Sequence, residues 1–134
     1  MELVSQSIHQ SARVVSVTRM NNLGQQYEQL AAEYLQRKGL SLVAQNYQCK
    51  AGEIDLIMRD GQTLVFIEVK YRASTAFGGA AAAVTPAKQQ KLLRACRWYL
   101  QQQRLSDHAC RLDVLAIEGQ IPYEYQWIKN AISQ

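Results

Sequence analysis

At 134 residues, 48% apolar and 19% charged, the chain has the size and balance of one ordinary globular domain and is short of two. Its net charge of +4 leans toward polyanions without singling one out. Cys49, Cys96 and Cys110 lack paired C-x-x-C spacing, and His9 and His108 lie far apart, so neither a disulfide framework, a zinc site nor a Ser-His-Asp hydrolase is indicated.

Residues 1–20 are weakly patterned and are expected to form a flexible leader ahead of a single domain spanning 21–134. They lack the apolar core of a signal peptide, and no apolar run approaches a membrane span. The expectation is therefore a cytoplasmic protein in a reducing compartment, with no membrane partner.

Asn22 reads as the N-cap of a first helix, with Gln25 completing a capping box. Tyr27, Leu30, Ala31, Tyr34 and Leu35 keep the helical period, and Gly39 closes the helix. Leu40 to Tyr47 reads as a strand. Glu53 to Arg59 and Leu64 to Tyr71 read as a hairpin turning at Asp60-Gly61. The small residues from Ala73 to Val84 have no period and predict a mobile loop.

Thr85-Pro86 then opens a second helix with Leu92, Cys96, Tyr99 and Leu100 on its core face. Arg111 to Ile117 and Tyr123 to Ile128 read as two more strands. The order predicts an α/β fold: a mixed sheet with a helix on each face, the second helix crossing over to a parallel strand.

The hairpin carries the chemistry. Strict alternation puts Glu53, Asp55 and Ile57 on one face of its first strand, with Ile54 and Leu56 opposite. On the second strand Phe66, Glu68 and Lys70 share a face. A hairpin can set Asp55 beside Glu68, where two ionised carboxylates repel unless a cation lies between them. Oxygen ligands without His or Cys favour Mg²⁺ or Mn²⁺. Lys70 stands on the same face to hold a water or steady charge on a phosphate. A surface Glu-Lys pair explains any one of these residues, but the three together, flanked by Phe66, Ile67 and Val69, favour a site.

Asp55, a short hairpin and Glu68-Val69-Lys70 resemble the PD-(D/E)xK nuclease signature, with Ile54 where the name has proline. The longer ordered series is Gly24-x-x-x-Glu28, Gly52-Glu53-Ile54-Asp55-Leu56-Ile57, Phe66-Ile67-Glu68-Val69-Lys70-x-Arg72, Phe77-Gly78 and Arg111-x-Asp113. It resembles the bacterial YraN family, which is similar to archaeal Holliday-junction resolvases.

That resemblance implies a restriction-endonuclease-like core, αβββαβ in a mixed sheet flanked by helices, plus a C-terminal strand. It also implies a metal-dependent nuclease acting on DNA, structure-selective in repair or recombination. Asp55 and Glu68 would be metal ligands, the Val69 carbonyl another, Lys70 the catalytic lysine, and Glu28 the first-helix glutamate that reaches the metal directly or through water. The helical period agrees to the extent that Glu28 flanks the apolar stripe while Glu33 points away; an exposed helix glutamate is the alternative. Glu53 is either a second group supporting Asp55 or a strand-end charge.

Lys91, Arg94 and Arg97 fall on the polar side of the second helix, as a phosphate-tracking row or as a solvated face. Lys88 sits at the edge of the apolar stripe, placed to reach the sheet, and Arg72 extends the positive surface past Lys70. Arg111 and Asp113 read as a structural ion pair. Tyr123, Tyr125 and Trp127 alternate onto one face as core or a dimer contact, although aromatic rows can also stack on bases. The rival from another class is a non-catalytic nucleic-acid-binding module that kept the nuclease fold. Nothing in the sequence excludes RNA, and a homodimer would place two sites on opposing strands of a junction.

Overall fold

The computed structural model describes residues 23–73 and 84–132. The expected leader, the Asn22 cap and most of the expected mobile loop, including Phe77-Gly78, lie outside the described residues. The elements follow in the order α1 (Leu23–Arg37), β1 (Ser41–Cys49), β2 (Gly52–Asp60), β3 (Thr63–Arg72), α2 (Pro86–Gln102), β4 (Cys110–Glu118) and β5 (Glu124–Ile128). The five strands form one mixed sheet in sequence order. Neighbours are antiparallel except β3 and β4, which run parallel with Leu64 beside Cys110 and Glu68 beside Val114. The α2 crossover makes that parallel pair possible, as a parallel connection requires.

Each helix forms because its apolar stripe has a sheet face to cover. Ala31, Ala32 and Leu35 of α1 pack on Leu56, Met58, Val65, Ile67, Leu115 and Ile117. On the opposite face Leu92, Leu93, Cys96 and Tyr99 of α2 cover Ile54, Ile57, Leu64, Phe66, Leu112 and Val114. Gly39 (φ +104) closes α1 in the left-handed region. Thr85 caps α2, its Oγ1 accepting from the Lys88 backbone N at 3.2 Å. Tyr123, Tyr125 and Trp127 pack against the α1-side core, with Tyr34 and Tyr125 stacked at 4.5 Å between ring centres. None of the described helices is long and apolar enough to cross a membrane.

Two expectations change in the hairpin. The turn is one residue later than Asp60-Gly61: Asp60 pairs with Thr63, and Gly61 (φ +62) with Gln62 forms the loop. Asp60 is thereby kept in the strand, where it accepts from Arg111 Nη2 at 3.0 Å. The second change concerns β2. Ile54 does not share a face with Leu56, because Ile54 packs with Ile57 under α2 while Leu56 and Met58 face α1. The alternation breaks at Asp55. The β2–β3 ladder stops at the same place, its last pair on that side being Leu56 with Ile67.

Candidate active site

Where the ladder stops, Asp55 and Glu68 lie on diverging strands and not in a directly paired register. Asp55 Oδ2 accepts from the Val69 backbone N at 2.9 Å. A side chain thus fills the gap that a main-chain partner would occupy in a regular ladder. This contact fixes the aspartate at the mouth of the gap between β2 and β3.

Three acids meet there. Glu28, delivered from α1, is hydrogen-bonded through its carboxyl to that of Asp55, and Glu68 is close enough to add its field. Burial, then the Glu68 charge, pushes the Asp55 carboxyl up to about 8, against the Val69 amide, which pulls it down. Glu28 is raised as well, first by burial and further by Glu53 and Glu68. With no cation between them the carboxylates repel, as expected, and the crowding favours the protonated form of Asp55.

Glu68 is 3% exposed and belongs to the α2 side of β3. Its Oε2 meets Lys70 Nζ at 3.2 Å and Lys88 Nζ at 3.4 Å. The two lysines reach the same oxygen from different elements, one from the strand and one from the first turns of α2. Lys88 therefore does what its place at the edge of the apolar stripe suggested.

Glu53 is exposed, and a cleft of about 240 Å³ joins it to Gly52, Lys88, Lys91 and Leu92. Lys91, Arg94 and Arg97 are exposed along α2, as is Arg72 at the end of β3. Arg72 Nη1 donates to the Tyr71 carbonyl at 3.1 Å.

The residues suit a hard divalent cation by charge and donor type: oxygen donors only, carboxylate repulsion that a dication would relieve, and a fixed aspartate. Among the described residues no three acids, histidines or cysteines already stand at ligand spacing, and the lysines hold Glu68 to one side. Sequence reasoning did not bring Gly52 and Glu53 together with α2. It also missed a groove of about 510 Å³ beside Glu28, lined by Gln25, Gln29, Gln45 and Asn46 among others. The only signal for that groove was the run of glutamines in α1.

Arg111 and Asp113 are the structural pair that was expected. Arg111 Nε donates to both Asp113 oxygens, at 3.1 and 3.2 Å, and the aspartate is fully buried.

An α/β protein with a five-strand mixed sheet between two helices, and an acidic corner where β2 and β3 part, is the class these features define. By sequence the chain belongs to the uncharacterised protein family UPF0102, the YraN family, whose model matches residues 27–117. It is 54% identical over 110 residues to a UPF0102 protein of Aeromonas hydrophila, covering 81% of this chain and 82% of that one. A UPF0102 protein of Herminiimonas arsenicoxydans is 51% identical over 110 residues, covering 82% and 86%. One of Nitrosomonas europaea is 48% identical over 113 residues, covering 84% and 95%.

Proposed function

We propose that this protein is a Mg²⁺- or Mn²⁺-dependent nuclease that hydrolyses DNA phosphodiester bonds, built on a restriction-endonuclease-like core and selective for branched or flapped DNA. The observation that carries the reading is the convergence of Asp55, Glu68 and Glu28 from three elements, with Lys70 against Glu68. A structural acid cluster is ordinarily paired out; in this one burial and mutual repulsion hold the carboxyls to their protons, and Asp55 is fixed in place.

Asp55, Glu68 and the Val69 carbonyl would hold the cation, with Glu28 supporting through Asp55. When bound, the cation supplies polarisation of the phosphoryl oxygen and a more acidic water. The protein's own residues do the rest. The Val69 amide keeps Asp55 oriented, so its carboxylate need not reorganise on loading. Lys70, on the stretch of β3 paired with β4, is positioned by Glu68 to hold the attacking water or meet charge on the phosphate. Arg72, Lys88, Lys91 and Arg94 supply the positive surface past which a backbone can run. Glu53 sits close enough to Glu28 for its charge to push the Glu28 carboxyl further up.

Purified protein incubated with single-stranded, flapped, nicked and four-way DNA in Mg²⁺ or Mn²⁺ should cut a branched substrate and lose the activity in Lys70→Ala with the fold intact. Absence of cutting with every metal and substrate would sink the enzyme. DNA binding that survives Asp55→Ala without cleavage would leave a binding module in its place.

A further inference from the structure

We propose that Lys88 is a displaceable counter-ion of Glu68 that couples cation binding to phosphate binding: it yields the carboxylate to the divalent ion and turns to the nucleic-acid backbone. This rests on the metal-dependent nuclease reading above. Lys70 and Lys88 both contact Glu68 Oε2, and a cation that takes this oxygen as a ligand must compete with at least one of them.

The two lysines differ in how freely they can leave. Lys70 is on β3, beside Ala116 of β4, and its side chain is 21% exposed. Lys88 makes the longer contact, is 39% exposed, and lies in the first turns of α2 beside the cleft shared with Gly52, Glu53 and Lys91. Its backbone N serves the Thr85 cap, so the side chain can swing without disturbing the helix start.

Displacement changes what Lys88 can do. While its ammonium neutralises Glu68, it is a poor phosphate ligand. Once released, it stands beside Lys91 with a free positive charge at the site's entrance. By linkage, the cation then raises affinity for DNA, and DNA raises affinity for the cation by the same factor. Without Lys88 the cation should bind more tightly on its own, and the mutual reinforcement should fade.

Mn²⁺ binding by calorimetry at one fixed pH, and binding of a labelled flapped duplex in Ca²⁺ or EDTA by anisotropy, test this directly. Lys88→Gln should bind Mn²⁺ roughly three- to tenfold more tightly than wild type, the worth of one partly exposed ion pair. It should bind the duplex more weakly in Ca²⁺ and equally in EDTA. Lys88→Arg should restore the wild-type pattern, and Lys38→Gln, which removes the same charge at the far end of α1, should change neither. Equal or weaker Mn²⁺ binding by Lys88→Gln, with wild-type cleavage intact, overturns the coupling and leaves the nuclease standing. A wild type that binds no divalent cation overturns both.

Discussion

Asp113 and Asp55 are both set into strands of one sheet, and the fold treats them in opposite ways. Asp113 accepts from Arg111 through both oxygens, from Trp127 Nε1 at 2.9 Å and from the Asn130 backbone N at 2.7 Å. Arg111 continues to Asp60, so the chain of contacts ties β2, β4, β5 and the segment after it together. Asp55 receives one backbone donor and is otherwise surrounded by acids. A buried carboxylate whose charge is fully met fastens strands to each other. A half-buried one whose charge is left over is poised to receive something positive.

The comparison breaks most visibly at Asp113. Asp113→Ala takes a partner from Arg111, Trp127 and Asn130 at once and should cost about 3–5 kcal/mol of stability in urea unfolding. A loss under about 1 kcal/mol would mean that its contacts hold nothing together. Lys70→Ala works on the other region: cleavage should fall about 10²- to 10³-fold, the size expected for removing a charge-stabilising donor, while the urea midpoint stays near wild type.

The third test sharpens the contrast through pH. The Asp55 carboxyl is raised in the fold from 3.8 to about 8, so the folded state binds its proton more tightly than the unfolded chain. The stability this gives is complete below about pH 4 and drains away as pH rises toward 8, when no divalent ion is supplied. Asp55→Asn should flatten that decline and gain on the order of 1–3 kcal/mol at pH 8, where Asp113→Asn loses stability. Thermal melts across the window in EDTA decide it; a wild-type melting temperature that climbs from pH 4 to 8 while that of Asp55→Asn stays level would reverse the sign. The smallest effect belongs to Arg94→Ala. It should leave stability within about 0.5 kcal/mol and lower the salt dependence of DNA binding by about one counter-ion.

Much of this was legible in the sequence because it is local. Helical stripes, the cap at Thr85 and the alternation of β3 placed every element within a residue or two. Alternation also put Glu68 and Lys70 on a common face, and helical spacing aimed Lys88 at the sheet. The face switch at Asp55 was not legible, since a period-two pattern assumes an unbroken ladder and Ile54, Leu56 and Ile57 are all apolar. Nor were the further partners of Asp113, Trp127 and Asn130: they depend on the β4–β5 register, with Leu115 beside Trp127, and on Asn130 at φ +52 just beyond it. Two-body contacts across a register carry no sequence period. The Glu28–Asp55 bond needed the docking of α1, which the stripe implies only in direction.

The parallel join of β3 to β4 also has a kinetic side. Leu64 must wait for Cys110, across the whole of α2, whereas the Asp55–Val69 contact closes over fourteen residues. Hairpins close in about 1–10 μs, and long-range parallel pairing is far slower. The nascent chain should therefore display Asp55, Glu68 and Lys70 on an early hairpin, with Glu28 and Lys88 arriving only as the two helices settle. In pulse-labelled hydrogen exchange, the amides paired between β2 and β3 should gain protection before those of β4. The acidic corner would thus be partly assembled before the core that surrounds it.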